Sequence, residues 1–209
     1  MNLFNMSLRE RAKSEKWERI RAAAKRLFAE RGYEGTTVRA IAEAAGVATG
    51  TVLVYGETKD ALLHELWRAE AMPLVERAVT SLPGEGLFVD RCMHLFSPLL
   101  THYASQPELA RVVVKELPWL TGAAEELHRP ALARLVGALA SVVSDAKSRG
   151  ELRAEVDCER AAELVFGVYF AAVMRMLVPM AGSTVATARA RLRCDLEMLF
   201  VGLGSRRSS

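Results

Sequence analysis

The segment "TTVRAIAEAAGVATGTVLVYGETK", residues 36–59, limits the possible folds more than any other part of the chain. Thr37 is suited to N-cap a short helix that Gly46 ends, and "ATGTVLVY" reads as a second short helix stopped by Gly56. Helices of about two turns do not persist alone in water, so both must pack on each other and on a longer neighbour. Ile41, Ala45, Val47, Val52 and Tyr55 are spaced to point inward, and Ala42 is small where two helices would cross closely. Gly46 supplies a turn conformation that bulkier residues resist. This is the pattern of a helix-turn-helix, although a purely structural helical corner would share the spacing.

The longer neighbour precedes it. "EKWERIRAAAKRLFAERG" places Trp17, Ile20, Ala24, Leu27 and Phe28 at helical spacing, with Gly32 as the stop. Ser7 and Glu10 are placed to form a capping box, which would start this helix well before its apolar stripe. Downstream, Thr58 reads as the N-cap of a fourth helix running to Pro83 with a kink at Pro73. Further helices are expected near 87–104, 107–117, 121–149, 157–178 and 184–203, punctuated by Pro107, Pro118, Gly150 and Gly182. With 51% hydrophobic residues among 209 and no alternation of strands and helices, the expected class is all-α. The expected organisation is a helix-turn-helix domain over 1–57, with 1–14 as a basic extension, a larger helical domain over 58–204, and a tail at 205–209.

Charge is unevenly spread. Residues 1–31 hold nine Lys or Arg against four Glu, and the rest of the chain is slightly acidic. A basic excess beside a recognition element suits phosphate, and it equally suits a solvated helix face. Cys92, Cys158 and Cys194 are odd in number and form no CxxC, which fits buried free thiols in a reducing compartment. The N-terminus lacks the apolar run of a signal peptide, and the most apolar run, Leu164 to Met174, is far short of the ~20 residues of a membrane span. A cytoplasmic protein without membrane contact is expected.

Catalytic chemistry finds no support. His64, His94, His102 and His128 show no HxxxH or HExxH spacing, and "GEGLF" lacks the second half of a phosphate loop. No GxSxG elbow is present. Neither an enzyme nor a metal or other cofactor is expected.

Residues 17–63 resemble the DNA-binding region of the tetracycline-repressor (TetR) family of bacterial transcription regulators. The resemblance rests on "AAKRLFAERGYEGTTVRAIAEAAGVATGTV" and "TKDALL" and covers roughly the first third of the chain. The remainder is similar to the family only in its layout of helices, with "SRGELRAEVDCERAAELVFGVYFA" similar to the stretch that leads into a dimerisation helix. The resemblance implies a homodimer on a double-stranded DNA operator with two symmetric half-sites, released by a small-molecule inducer. Thr37 and Arg39 match positions contacting phosphate or a base. Ala48, Thr49, Gly50, Thr51 and Leu53 match the groove-facing side of the recognition helix, and Tyr55 and Lys59 match phosphate contacts. Relatives often carry Tyr at Leu53, an apolar residue at Gly56, and Lys or Arg beside Thr49. Arg39 is therefore the one strong candidate for base readout here.

In the larger domain Met93, Phe96, His102, Tyr103, Trp119, Phe166, Tyr169, Phe170 and Met174 are candidates for a ligand pocket, with His102 and Arg175 as polar anchors. Core packing accounts for most of the same residues. The last helix carries an apolar seam of Val185, Ala188, Leu192, Leu196, Leu199 and Leu203, expected to form a four-helix dimer interface with the helix over 157–178. Two functions follow: a ligand-responsive transcriptional regulator, most simply a repressor, or a helical interaction protein that has lost specific DNA readout.

Overall fold

A computed structural model describes residues 7–178 and 184–203, apart from the side chains of Leu8 and Leu203. Nine α-helices follow in order among the described residues: α1 Leu8–Arg31, α2 Val38–Ala45, α3 Thr49–Leu53, α4 Lys59–Thr80, α5 Phe88–Ser105, α6 Pro107–Glu116, α7 Gly122–Ser148, α8 Cys158–Leu177 and α9 Val185–Leu203. A 3-10 turn, Leu117–Trp119, follows α6. The fold is all-α, as expected.

The ends of these helices have local causes. Ser7 and Glu10 form the reciprocal capping box, so α1 does begin there. Thr37 caps α2 through the amide of Ala40, and Gly46 ends it in the left-handed conformation, φ 63° and ψ 43°. Thr58 likewise accepts from the amide of Ala61 at the start of α4. Two ends differ from the sequence reading. Helix α3 closes at Leu53, with Val54 and Tyr55 in a turn, because only a single bond from Tyr55 N to Val52 O continues the chain's path. Helix α4 closes at Thr80, where the hydroxyls of Thr80 and Ser81 bond back to Arg77 O.

The chain divides into two compact units, Met1–Arg68 and Ala69–Ser209, and the division falls inside α4. In the first unit α1 packs on α2 and α2 on α3 around Ile20, Ala24, Ile41 and Val52, all wholly buried. In the second, α8 packs against α7 and α9, and α5 packs against α9, around Phe88, Phe96, Leu100 and Leu139.

The apolar seam of α9 must be corrected. Leu192 and Leu196 are wholly buried within the single subunit, Ala188 is buried, and Val185 and Leu199 are half-buried. A side chain with no surface cannot form a contact with a second copy, so Leu192 and Leu196 belong to the subunit's own core, against α5 and α8, while Val185 and Leu199 keep part of their surface. Leu203 is the one member whose side chain lies outside the described residues. A different stripe faces outward. Among the exposed positions of α8, Leu164, Gly167, Ala171 and Met174 form an apolar set, followed by Val178, and among those of α9 Cys194, Met198 and Val201 form another. Their spacing of three and four residues places each set on one face.

Candidate functional site

The helix-turn-helix is held by side chains that donate to backbone carbonyls. Arg19, on α1, reaches Ala45 O through Nε and Nη2, at 2.9 and 2.6 Å, and Gly46 O through Nη2, at 2.6 Å. Its cation thus sits on the C-terminal end of α2, where the carbonyls lack helical partners and the helix dipole is negative. The Thr36 hydroxyl, buried, lies 3.1 Å from Leu27 O and 2.8 Å from Gly32 O, joining the end of α1 to the approach to α2. Gly56 is buried where α4 begins, and a Cβ there would lie 2.4 Å from Leu62 N and 2.6 Å from its Cα. This steric limit accounts for the glycine where relatives carry a larger residue.

This frame presents one exposed surface. Thr37, Arg39, Ala48, Thr49, Gly50 and Leu53 are all exposed, and Thr51 is half-buried. Between them, Val52 points inward with no exposure. Arg39 is the only long polar side chain among them, and it rests on Glu43 at 3.1 Å with most of its length in solvent. Val54, at 75% exposure, also belongs to this surface, and the inward-pointing pattern read from periodicity did not reveal it.

Tyr55 and Lys59 are placed beside this surface but are engaged. The Tyr55 hydroxyl donates to Lys13 O at 3.0 Å, and its ring stacks on Trp17 with centroids 4.8 Å apart. The Lys59 ammonium donates to Tyr33 O at 3.0 Å and lies 4.1 Å above the Tyr33 ring centre, while the Tyr33 hydroxyl bonds Asp60. Both residues set the orientation of neighbouring helices. Arg19 and Thr36 were not found from the sequence, because each acts on a carbonyl with no local sequence signature.

In the second unit, the predicted ligand residues separate into groups. Phe96 and Tyr169 are buried and stacked, 4.2 Å between centroids and 4° between planes. Phe166 packs against both Tyr169 and Phe170, at 5.9 and 6.3 Å. Tyr103 lies next to Tyr169, and burial first, then this neighbour, holds the Tyr169 phenol well above its ordinary pKa; burial also raises Tyr103. His102 adjoins Tyr103 and has Nδ1 3.9 Å from Glu70. Trp119 stands apart on the 3-10 turn with 82% exposure, Met174 faces outward on α8, and Arg175 pairs with Asp195. Met93 is buried, and it lines a different space.

That space is an open groove of about 760 Å³ between the second half of α4, α5 and α9. Leu74, Ala78, Met93 and Pro98 give it an apolar lining, while Arg77, Arg189 and Arg193 contribute three cations against the single carboxylate of Asp90. Asp90 is already paired with Arg193 at 2.7 Å. Arg189 donates to Ser97 O and to the Thr101 hydroxyl, leaving its Nε buried and unbonded. A groove with this lining suits a molecule with an apolar part and an anionic end. Arg189 and Arg193 share one face of α9, but Arg77 lies on α4, far away in sequence, so spacing does not bring the three together.

Comparison with known proteins decides the family. Residues 20–66 match the model of the bacterial regulatory proteins of the tetR family. This part of the chain is thus a TetR-family domain. The chain is 25% identical over 155 residues, 74% of this chain and 80% of the other, to a fatty acid metabolism regulator protein of Bacillus subtilis (strain 168). Thermus thermophilus FadR, a TetR-family transcriptional repressor solved in complex with lauroyl-CoA, is similar at 27% identity with a TM-score of 0.68, over 91% of this chain and 96% of that one. FadR from Bacillus subtilis, solved in complex with stearoyl-CoA, shares the fold at 23% identity and a TM-score of 0.69, over 90% and 99% of the two chains. The chain is thus a DNA-binding transcription regulator whose relatives are regulators rather than enzymes. Among the described residues, no helix is long and apolar enough to cross a membrane.

Proposed function

We propose that the chain is a repressor that binds a palindromic operator as a homodimer and leaves it when an amphipathic anion of the fatty acyl-CoA class is bound. The observation that carries this reading is the exposed, rigidly framed α2–α3 surface within the segment that matches the family. On it, Arg39 is the base-reading side chain, exchanging Glu43 for guanine, and Thr49 and Thr51 meet thymine methyls or base edges. Thr37 and the first amides of α2 offer hydroxyl and backbone donors to phosphate. Selection of bound duplex from a random pool should return one palindrome, and anisotropy across a salt series should show a steep slope. The other reading, an interaction protein without DNA readout, requires no preferred sequence and no slope.

The dimer contact in this proposal is the outward stripe of Leu164, Gly167, Ala171 and Met174 on α8 with Cys194, Met198 and Val201 on α9. Small residues in its centre permit close helix approach, and an apolar face of this kind left in water favours association. Cys194 provides a direct measurement. Its modification by a thiol reagent should slow as protein concentration rises through the dimer range, and Met198→Glu should restore fast labelling and a monomer mass. Labelling that is equally fast at all concentrations would place the contact elsewhere. Cys92 should not react in either state, since burial pushes its thiol up to about 12.

The effector reading rests on the groove and on the relatives solved with acyl-CoA thioesters. The arginines hold the anionic end, and the apolar lining takes part of the chain. Occupancy acts on α4, whose continuous helix begins at Lys59 in the first unit and supplies Leu74, Arg77 and Ala78 to the groove. With typical coupling of about 1–3 kcal/mol, operator affinity should fall about 5–150-fold on saturation with an acyl-CoA. Saturating operator must weaken acyl-CoA binding by the same factor. Arg77→Ala with Arg189→Ala should abolish the response while sparing operator binding in the absence of ligand.

A further inference from the structure

The recognition surface is poor in positive charge, and the helix beside it is rich in it. Residues 9–16 of α1 are exposed on every side, so no packing within the unit explains why this part of the chain carries Arg9, Lys13 and Lys16. Arg9, Lys13 and Lys16 follow steps of four and three residues and therefore share one face. The same face continues into Ile20, Ala24 and Leu27, which are buried against the helix-turn-helix. The cationic stripe is thus the extension of the face that packs on α2, and it points to the side of α1 on which the recognition helix lies. The two acids of this stretch are elsewhere: Glu10 is consumed by the capping box, where its bonds to Ser7 hold its carboxyl below the usual range, and Glu15 falls on another face.

The stripe is also fixed in place. Tyr55, just after α3, bonds the Lys13 carbonyl and stacks on Trp17, tying the exposed half of α1 to the end of the recognition helix. We propose that Arg9, Lys13 and Lys16 form a phosphate-binding stripe that grips the duplex backbone flanking each half-site and supplies the electrostatic affinity that α3 lacks. The proposal rests on the DNA-binding reading above. Charge complementarity identifies the occupant: a row of three aligned cations with no acid on its face matches the regular phosphates of a duplex, and these contacts carry no sequence information.

The test compares two triple variants of equal charge loss on the same helix. In the first, Arg9→Ala, Lys13→Ala and Lys16→Ala remove the stripe but keep the backbone carbonyl that Tyr55 uses. In the second, Arg21→Ala, Lys25→Ala and Arg26→Ala remove cations from the other faces. Circular dichroism confirms that both retain their helix. The stripe variant should lower the slope of log affinity against log salt by about 0.9 for each cation lost, on random and operator duplexes alike, without changing which sequence is preferred. The second variant should change the slope by less than half as much. Equal losses in the two variants, or a stripe variant with the parent's slope, would overturn the proposal. A parent chain with neither slope nor preferred sequence would instead remove the DNA-binding reading on which it stands.

Discussion

The two units of this chain share one stabilising device and differ in what surrounds it. In the first, four side chains donate to main-chain carbonyls at turns or along helices: Arg19 to Ala45 and Gly46, Thr36 to Leu27 and Gly32, Lys59 to Tyr33, and Tyr55 to Lys13. Each bond fixes the direction in which a short helix points, a property that apolar contact alone specifies poorly. The second unit uses the same kind of bond, from Arg111 to Leu177 O and from Lys147 to Val156 O, but around a larger apolar core that also encloses a charged side chain. Arg91 is almost fully buried, pairs with Asp145 through Nη2 at 2.8 Å, and has Nε and Nη1 without partners. A buried donor without a partner costs about 1–3 kcal/mol, so Arg91 adds less to this unit's stability than its one ion pair suggests. A surface that must match a groove of fixed dimensions gains from bonds that fix the direction of its helices.

The largest effect that would sharpen this contrast is expected in the second unit's core. Leu192→Ala should destabilise that unit by about 2–5 kcal/mol, since Leu192 is wholly buried between α9 and its neighbours. Met198→Ala, further along the same helix, should cost little in the monomer and act on association instead. Chemical denaturation followed separately from light scattering distinguishes the two. If Leu192→Ala altered mass without altering stability, the assignment of the two stripes would have to be exchanged.

A comparable loss is expected in the first unit from a single methyl group. Gly56→Ala sets a Cβ against the backbone of Leu62 and Ala61, which cannot turn aside as a side chain would. Overpacking of this kind costs about 1–3 kcal/mol and sometimes more. DNA binding should fall with it while the mass of the assembly stays unchanged. A Gly56→Ala chain with the parent's DNA affinity would show that α4 can shift its start freely, against the idea of a rigid frame.

How much of this was legible in sequence follows the same division. Helix existence, the Ser7–Glu10 box, the Thr37 and Thr58 caps and the Gly46 turn were all readable, because each is set by residues a few positions apart. The candidate α2–α3 surface came from the family resemblance, residue by residue, while periodicity gave only the face turned inward beneath it. What acts over long separations was not readable. Arg19 meets a carbonyl 26 residues away, and the groove joins Arg77 to Arg189 and Arg193 across most of the second unit. The seam on α9 failed for a related reason: periodicity identifies an apolar face but not whether its cover is the same chain or a copy. Only the burial of Leu192 and Leu196 decided that.

A smaller effect separates Arg19 from its apolar surroundings. Arg19→Ala removes three charge-assisted bonds to the end of α2, each partly exposed to water, and should cost about 1.5–3 kcal/mol in total. Arg19→Lys should recover only part of this, because an ammonium has no second nitrogen to take the place of Nε on Ala45 O. Thermal unfolding of the first unit measures both. Full recovery by lysine would mean that charge at the helix end, rather than the forked geometry, supplies the stabilisation.

The smallest expected change in stability is at Gly50, and its sign makes it informative. A Cβ at Gly50 would meet nothing within 4 Å, in contrast to Gly56, and α3 is helical there. Replacing glycine by alanine within a helix is worth about 0.5–1 kcal/mol in favour of alanine, so Gly50→Ala should leave the first unit slightly more stable. In the proposed DNA complex the exposed backbone at Gly50 comes close to the duplex, and an added methyl would hold it off. Operator affinity should therefore fall in the same variant whose unfolding temperature rises, and the loss should be larger on the selected palindrome than on random duplex, because only the seated complex brings α3 to full depth in the groove. A variant that gains stability and keeps its operator affinity would show that α3 sits higher in the groove than proposed, and would shift the weight of recognition to Arg39 at the start of α2.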